Sequence, residues 1–153
     1  MEDLMIHDID IVMNCLFDET PRISARGNDD VAAVLGSCKN STIYLSASRK
    51  ASKKIRMIHI EQEDMTIEGD FMTQEIFVYR KPGQYSIENE RYVQENIVEK
   101  VQVAKKEPLR TELQTFLECA RNNRPFPVTP DQALQNLLIC ENICESMKND
   151  RET

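Results

Sequence analysis

Apolar and polar positions in the first sixteen residues recur at helical spacing. With about 3.6 residues per turn, Leu4, Met5, Ile9, Val12, Met13 and Leu16 cover most of one helix, while Asp3, His7, Asp10 and Asn14 project from one side. The stretch "DLMIHDID" therefore sets a polar stripe on an otherwise apolar helix, and such a stripe wants a partner. Pro21 biases the residue before it away from helical geometry, so the helix ends near residues 16–18.

The period then shortens to two. "RISARG" and "VAAVLGS" flank "NDD", and "STIYLSASR" follows "CKN", with both gaps built from the Gly, Asn, Asp and Ser that turns use. In the third run Ile43, Leu45 and Ala47 share one face, and Thr42, Tyr44, Ser46 and Ser48 share the other. "IRMIHI", "MTIEGD" and "QEIFVYR" continue at short spacing, which predicts a meander of antiparallel strands. "KPGQYS" reads as a turn through Pro82 and Gly83. "IVEKVQVAKK" reads as the last strand, with Ile97, Glu99, Val101 and Val103 alternating against Val98, Lys100 and Gln102.

Helical spacing returns at the end. In "EPLRTELQTFLECARNN" the residues Leu109, Leu113, Phe116, Leu117 and Ala120 fall on one face, and Pro108 is tolerated in a first turn. The final helix opens at "TPDQ": Thr129 caps it, Pro130 takes the first helical position and Gln132 completes a capping box. Ala133, Leu134, Leu137, Leu138, Cys140, Ile143 and Met147 then form a wide apolar stripe.

The order helix, strands, helices predicts an α+β fold: an open, mostly antiparallel (mixed) sheet of about six or seven strands with helices packed on one face. The open face of such a sheet suits a homo-oligomer interface. The 153 residues fit a single domain, 1–153, long enough to bury roughly 70% of the unfolded surface. A net charge of −7 repels a phosphate backbone at long range, which argues against nucleic acid as a partner. No apolar run is long enough for a membrane span, and the first residues are acidic where a signal peptide is basic, so a cytoplasmic location is expected.

Five cysteines (Cys15, Cys38, Cys119, Cys140 and Cys144) include no pair at metal-knuckle or redox spacing and read as buried free thiols. Cys140 and Cys144, one turn apart, have no histidine near them in sequence, and no metal is expected. A dinucleotide-cradling Gly-rich strand-turn-helix is also missing from a chain with four glycines.

Candidate chemistry gathers on the first helix. Asp3 and His7, four apart, can meet on one turn, and a carboxylate beside an imidazole favours the protonated ring that results when histidine takes a proton from a hydroxyl. Asp10, three beyond His7, is a second orienter. The same spacing also suits a surface or capping pair, or metal binding by Asp3, His7 and Asp10. Arg49, Lys50, Lys53, Lys54 and Arg56 form a basic cluster that either binds an anionic ligand or balances Glu61, Glu63 and Asp64; Arg49, at the end of a strand, is the best candidate for binding. His59, between Ile58 and Ile60, reads as structural, and "KNDRET" as a solvated tail.

"DLMIHDID" resembles the Asp-x-x-x-His segment, followed by a further Asp, that opens the C-terminal domain of the glucose-fructose oxidoreductase and inositol dehydrogenase family (Gfo/Idh/MocA). The resemblance continues through "STIYLSASRKASKKIRMIHIEQ" to "EPLRTELQTFLECARNNRPFPVTPDQALQNLLICENI", which is similar to the family's closing pattern of Pro-Leu, Glu, Phe, Pro and Asp positions. "SASRKASKKIR" and "EIFVYR" look most like the branch of UDP-N-acetylglucosamine 3-dehydrogenases.

The resemblance implies an NAD(P)-dependent enzyme that oxidises a hydroxyl of a sugar or nucleotide sugar. Asp3 and His7 would be its catalytic pair, with Asp10 and Arg49 contacting substrate. It also implies that NAD or NADP is held by an N-terminal Rossmann domain, with its E-K-P lysine, which these residues lack. This chain would then be the substrate-binding and oligomerisation half, with no cofactor bound to it and no turnover by itself. It would be either a truncated C-terminal half or a stand-alone, non-enzymatic dimerisation module derived from that domain.

Overall fold

Helix α1 spans Glu2–Ile11 and buries Met5 and Ile9, which lie one turn apart. It runs directly into a single π turn, Val12–Leu16, closed by the Phe17 N–H donating to the Val12 carbonyl at 3.0 Å. Val12 and Met13 are buried there, and Phe17 leaves in an extended conformation. The helical segment thus ends at Leu16, where Pro21 placed its limit. The structure, a computed structural model, describes residues 2–17, 19–81, 86–88, 91–93 and 97–149. The turn expected at Pro82 and Gly83 and the last four residues of the tail lie outside them.

The chain divides into two compact units, residues 1–52 with 114–153, and residues 53–113. In the first, strands β1 (Arg22–Gly27), β2 (Val31–Cys38) and β3 (Ser41–Ser48) form an antiparallel sheet in that order. Cross-strand rows Ile23/Gly36/Ile43 and Ala25/Val34/Leu45 occupy one face. Onto that face pack α1 and the C-terminal helix α3, Pro130–Asn149. The core is Met5, Ile9, Val12 and Met13 against Ala25, Ala32, Val34, Cys38 and Ile43, closed by Ile139, Cys140, Ile143 and Met147. The opposite face carries Leu35 directly across from Tyr44, both exposed, with Val31 near them.

The start of α3 follows from local chemistry. The Thr129 N–H donates to Gln132 Oε1 at 2.9 Å and the Gln132 N–H donates to Thr129 Oγ1 at 3.3 Å, a reciprocal capping box. The buried side of α3 departs from the expected stripe: it is Asn136, Ile139, Cys140, Ile143 and Met147, and it leaves Leu134, Leu137 and Leu138 exposed. Helix α2, Pro108–Arg121, forms where the spacing placed it, yet none of its residues is buried, and Leu109, Leu113, Phe116 and Leu117 are all exposed.

In the second unit, β4 (Met57–Glu61), β5 (Met65–Asp70), β6 (Glu75–Arg80) and β9 (Ile97–Val101) pair antiparallel in that order. A two-stranded ribbon, β7 (Ser86–Glu88) with β8 (Arg91–Val93), was not evident from periodicity. Register sorts the larger sheet into a mainly apolar face with Ile58, Ile60, Ile67, Ile76 and Val78, which also carries the Arg80–Glu99 ion pair, and a more polar face with His59, Glu68, Phe77 and Lys100. Gly69 makes room on the apolar face for Ile58, whose Cγ2 would lie 2.8 Å from an added Cβ and would have to shift. The last strand stops at Val101, short of the stretch to Lys106 that alternation suggested. Gln74 holds the connector instead: its amide donates to the Lys106 carbonyl at 2.7 Å and accepts the Lys106 N–H at 2.9 Å.

Among the described residues the architecture is α+β and every strand pairing is antiparallel, as expected, with seven strands distributed over a three-stranded and a four-stranded sheet beside the two-stranded ribbon.

Candidate functional site

The polar stripe of α1 meets three different fates. Asp3 pairs through Oδ1 with the Arg49 guanidinium, from the residue following β3. Arg49 is well placed for this because its own backbone is tied down: its N–H donates to the Asp30 carbonyl at 2.8 Å. The β1–β2 turn that supplies Asp30 is rigid for identifiable reasons. Asn28 Oδ1 accepts the N–H groups of Asp30 and Val31 at 2.9 and 3.0 Å, and Gly27 takes φ +147°, where a Cβ would strike the Val31 carbonyl.

Lys50 Nζ reaches Asp30 Oδ2 at 2.8 Å. That hydrogen bond, reinforced by charge, holds the Asp30 carboxyl below its ordinary range and raises the Lys50 ammonium above its own. Two of the five cations in the basic cluster, Arg49 and Lys50, are thus engaged by aspartates.

His7 lies one turn from Asp3, exposed to solvent, and makes no hydrogen bond or ion pair among the described residues. Asp3 therefore answers to Arg49, and the imidazole stands open. Asp10 Oδ1 accepts two hydrogen bonds, from Asn14 Nδ2 at 2.8 Å and from Asn136 Nδ2 at 2.7 Å. Asn136 was absent from the sequence reading. It sits within the apolar stripe of α3, and only its identity as an amide among leucines could have drawn notice. Here it is 3% exposed, and its Oδ1 has no hydrogen-bond partner among the described residues.

The structure thus joins Asp3 to Arg49, places His7 on the same side of α1 by helical spacing, and anchors Asp10 to α3. What the arrangement can do chemically is accept a proton at an exposed imidazole, accept hydroxyl hydrogens at carboxylates, and present a guanidinium to an anion.

His59 lies on the polar face of the four-stranded sheet rather than in a core. Its Nε2 is 3.1 Å from Glu61 Oε1 and its Nδ1 is 3.4 Å from Glu68 Oε1. The bond to Glu61 is the main reason its pKa is raised, partly opposed by desolvation and helped by Glu68. Glu68 also raises the Tyr79 phenol.

All five cysteines are free thiols; Cys38 and Cys140 are buried, whereas Cys15 is exposed, contrary to the expectation of burial. Among the described residues no group of three or more His, Cys, Asp or Glu side chains is arranged to hold a metal ion, and no helix is long and apolar enough to cross a membrane. Nor do the described glycines open a dinucleotide-binding turn. Gly27, Gly36 and Gly69 all lie in antiparallel strands, so a nicotinamide cofactor has no fitting cradle among them.

No protein-family model matches the chain, and no curated protein does. Solved structures do match. The UDP-N-acetylglucosamine 3-dehydrogenase GnnA from Acidithiobacillus ferrooxidans is similar in one crystal form with TM-score 0.78 at 22% identity, over 96% of this chain and 46% of that one. A second crystal form gives 0.76 at 23% identity, over 95% and 46%. The chain therefore has the fold of part of that dehydrogenase and spans under half its length, in agreement with the fold implied by the Gfo/Idh/MocA resemblance.

Proposed function

We propose that this chain is the substrate-binding and oligomerisation half of an NAD(P)-dependent oxidoreductase that oxidises a hydroxyl of a nucleotide sugar. The observation that supports it best is the convergence of Arg49 on the His7-bearing face of α1, through Asp3, in a fold shared with a nucleotide-sugar dehydrogenase. Arg49 binds the diphosphate, for which a guanidinium offers paired donors in a planar fork. Asp10 accepts a hydrogen bond from the sugar. His7 accepts the proton of the hydroxyl being oxidised, an assignment that suits a solvent-exposed imidazole with no partner among the described residues. Asp3 orients His7 or the sugar when Arg49 is drawn to the phosphates.

NAD or NADP supplies the hydride acceptor and belongs to a dinucleotide-binding domain outside the residues described here. The open face of the first sheet, with Val31, Leu35 and Tyr44, serves as the surface for a second copy. The cytoplasm is the location this reading expects, in keeping with first residues that are acidic where a signal peptide is basic.

Calorimetric titration of the 153-residue chain with UDP-N-acetylglucosamine tests this reading. Saturable binding that Arg49→Ala abolishes is the expected result. Absence of binding, or binding indifferent to Arg49→Ala, would remove the nucleotide sugar from the proposal.

A second reading, a non-enzymatic association module, is favoured by the uncovered apolar face of α2. It predicts self-association in sedimentation experiments with no response to the ligand.

A further inference from the structure

Asn136 presents a problem of physical chemistry. A buried primary amide with one unsatisfied oxygen costs stability, and an apolar residue of similar size between α1 and α3 would avoid that cost. The core around it is otherwise apolar: Met5, Ile9, Ile139, Cys140 and Ile143 are all buried. What the Asn136 side chain makes among the described residues is a single hydrogen bond, 2.7 Å from Nδ2 to Asp10 Oδ1.

That same oxygen also accepts from Asn14 at 2.8 Å. Two amides from two helical segments thus converge on one carboxylate oxygen, which is more than joining α1 to α3 requires. Their effect is to fix the torsion of the Asp10 carboxylate, so that Oδ2, unengaged among the described residues, has a set direction. Asp10 lies three residues beyond His7 on the same side of α1.

We propose that Asn136 is a positioning residue for ligand recognition: it locks Asp10 through Oδ1 so that Oδ2 is presented as the acceptor for a sugar hydroxyl. The proposal rests on the nucleotide-sugar reading above and deepens it, because it assigns discrimination of the sugar, as distinct from the diphosphate, to a residue that cannot itself reach solvent. Arg49 holds the phosphates whichever sugar they carry, and the Asn136–Asp10 pair reads the sugar.

The test compares UDP with UDP-N-acetylglucosamine on the intact 153-residue chain by calorimetry, so that the ratio of the two dissociation constants isolates the sugar's contribution. Asn136→Ala should weaken UDP-N-acetylglucosamine by about tenfold, the scale of a hydrogen bond to a charged group, and leave UDP within about twofold. In an Asp10→Ala background the same change should have no further effect on the ratio, because Asn136 acts through Asp10. Asn136→Ser, a milder change, takes the place of alanine if circular dichroism shows that Asn136→Ala does not fold.

Equal weakening of both ligands, or a loss that persists in the Asp10→Ala background, would reduce Asn136 to a packing role and overturn the proposal. So would a wild-type chain that binds UDP and the nucleotide sugar equally. In that case, UDP binding that is still lost in Arg49→Ala would leave the broader reading standing. A chain that binds neither ligand would defeat both.

Discussion

Asp3→Asn should tighten the binding of a nucleoside diphosphate, although it removes a residue assigned to the site. Arg49 is paired with Asp3, so an incoming diphosphate competes with a carboxylate for the same guanidinium. The side chains of Arg49 and Asp3 are 45% and 68% exposed, which places the pair among solvent-screened ion pairs worth roughly 0.2–1 kcal/mol. Removing the competitor therefore lowers the dissociation constant by about 1.4- to 5-fold.

The assay is titration of UDP into wild type, Asp3→Asn, Arg49→Ala and the double variant, at about 0.02 M and about 0.3 M salt. The gain should shrink at the higher salt, where screening already weakens the exposed pair. In the Arg49→Ala background Asp3→Asn should not restore binding, because the guanidinium that it frees is gone. Unchanged or weaker UDP binding in Asp3→Asn, while Arg49→Ala still abolishes it, would refute competition between Asp3 and phosphate for Arg49.

The remaining predictions concern the fold and its response to pH. Ile9, almost wholly buried at the centre of the α1–α3–sheet core, should cost about 2–5 kcal/mol on truncation to alanine, read from the midpoint of denaturant unfolding at unchanged slope. His59 has its pKa raised in the folded chain, by Glu61 and then Glu68. Its stabilising contribution is complete below the unfolded histidine pKa of about 6.5 and is lost as pH rises through the folded value. His59→Gln should flatten the fall in stability as pH rises beyond about 6.5, and proton NMR should show the His59 ring titrating above that ordinary histidine value. A steeper fall in the variant, or a His59 ring titrating below that ordinary value, would contradict the two-carboxylate environment.

What could be read from the chain was what neighbours in sequence decide. Thr129 and Gln132 close their capping box across three residues, and the alternation of Ile43, Leu45 and Ala47 faces the core as its period required. Contacts between distant residues were out of reach. Arg49 meets Asp3 across 46 positions and Asn136 meets Asp10 across 126, so spacing on α1 alone paired Asp3 with His7.

His59 shows the same limit in a strand. Period two sets it on a face, but only the register of β4 against β5 reveals that Glu68 lies beside it. In α3 composition misled in another way: leucine is the commonest apolar residue, at Leu134, Leu137 and Leu138, yet the side that turns inward is the one carrying Asn136, Ile139 and Ile143.

Helix α2 has a consequence for the life of the protein in a cell. Leu109, Leu113, Phe116 and Leu117 are exposed on an element with no buried residue. Contiguous apolar surface of that kind is what holdase chaperones engage and what leads a chain to aggregation or proteolysis. A copy whose α2 stays bare is therefore subject to quality control throughout its existence, whereas a copy whose α2 is covered escapes it. Whatever surface shields those four side chains would therefore raise the steady-state amount of the chain as well as bind it.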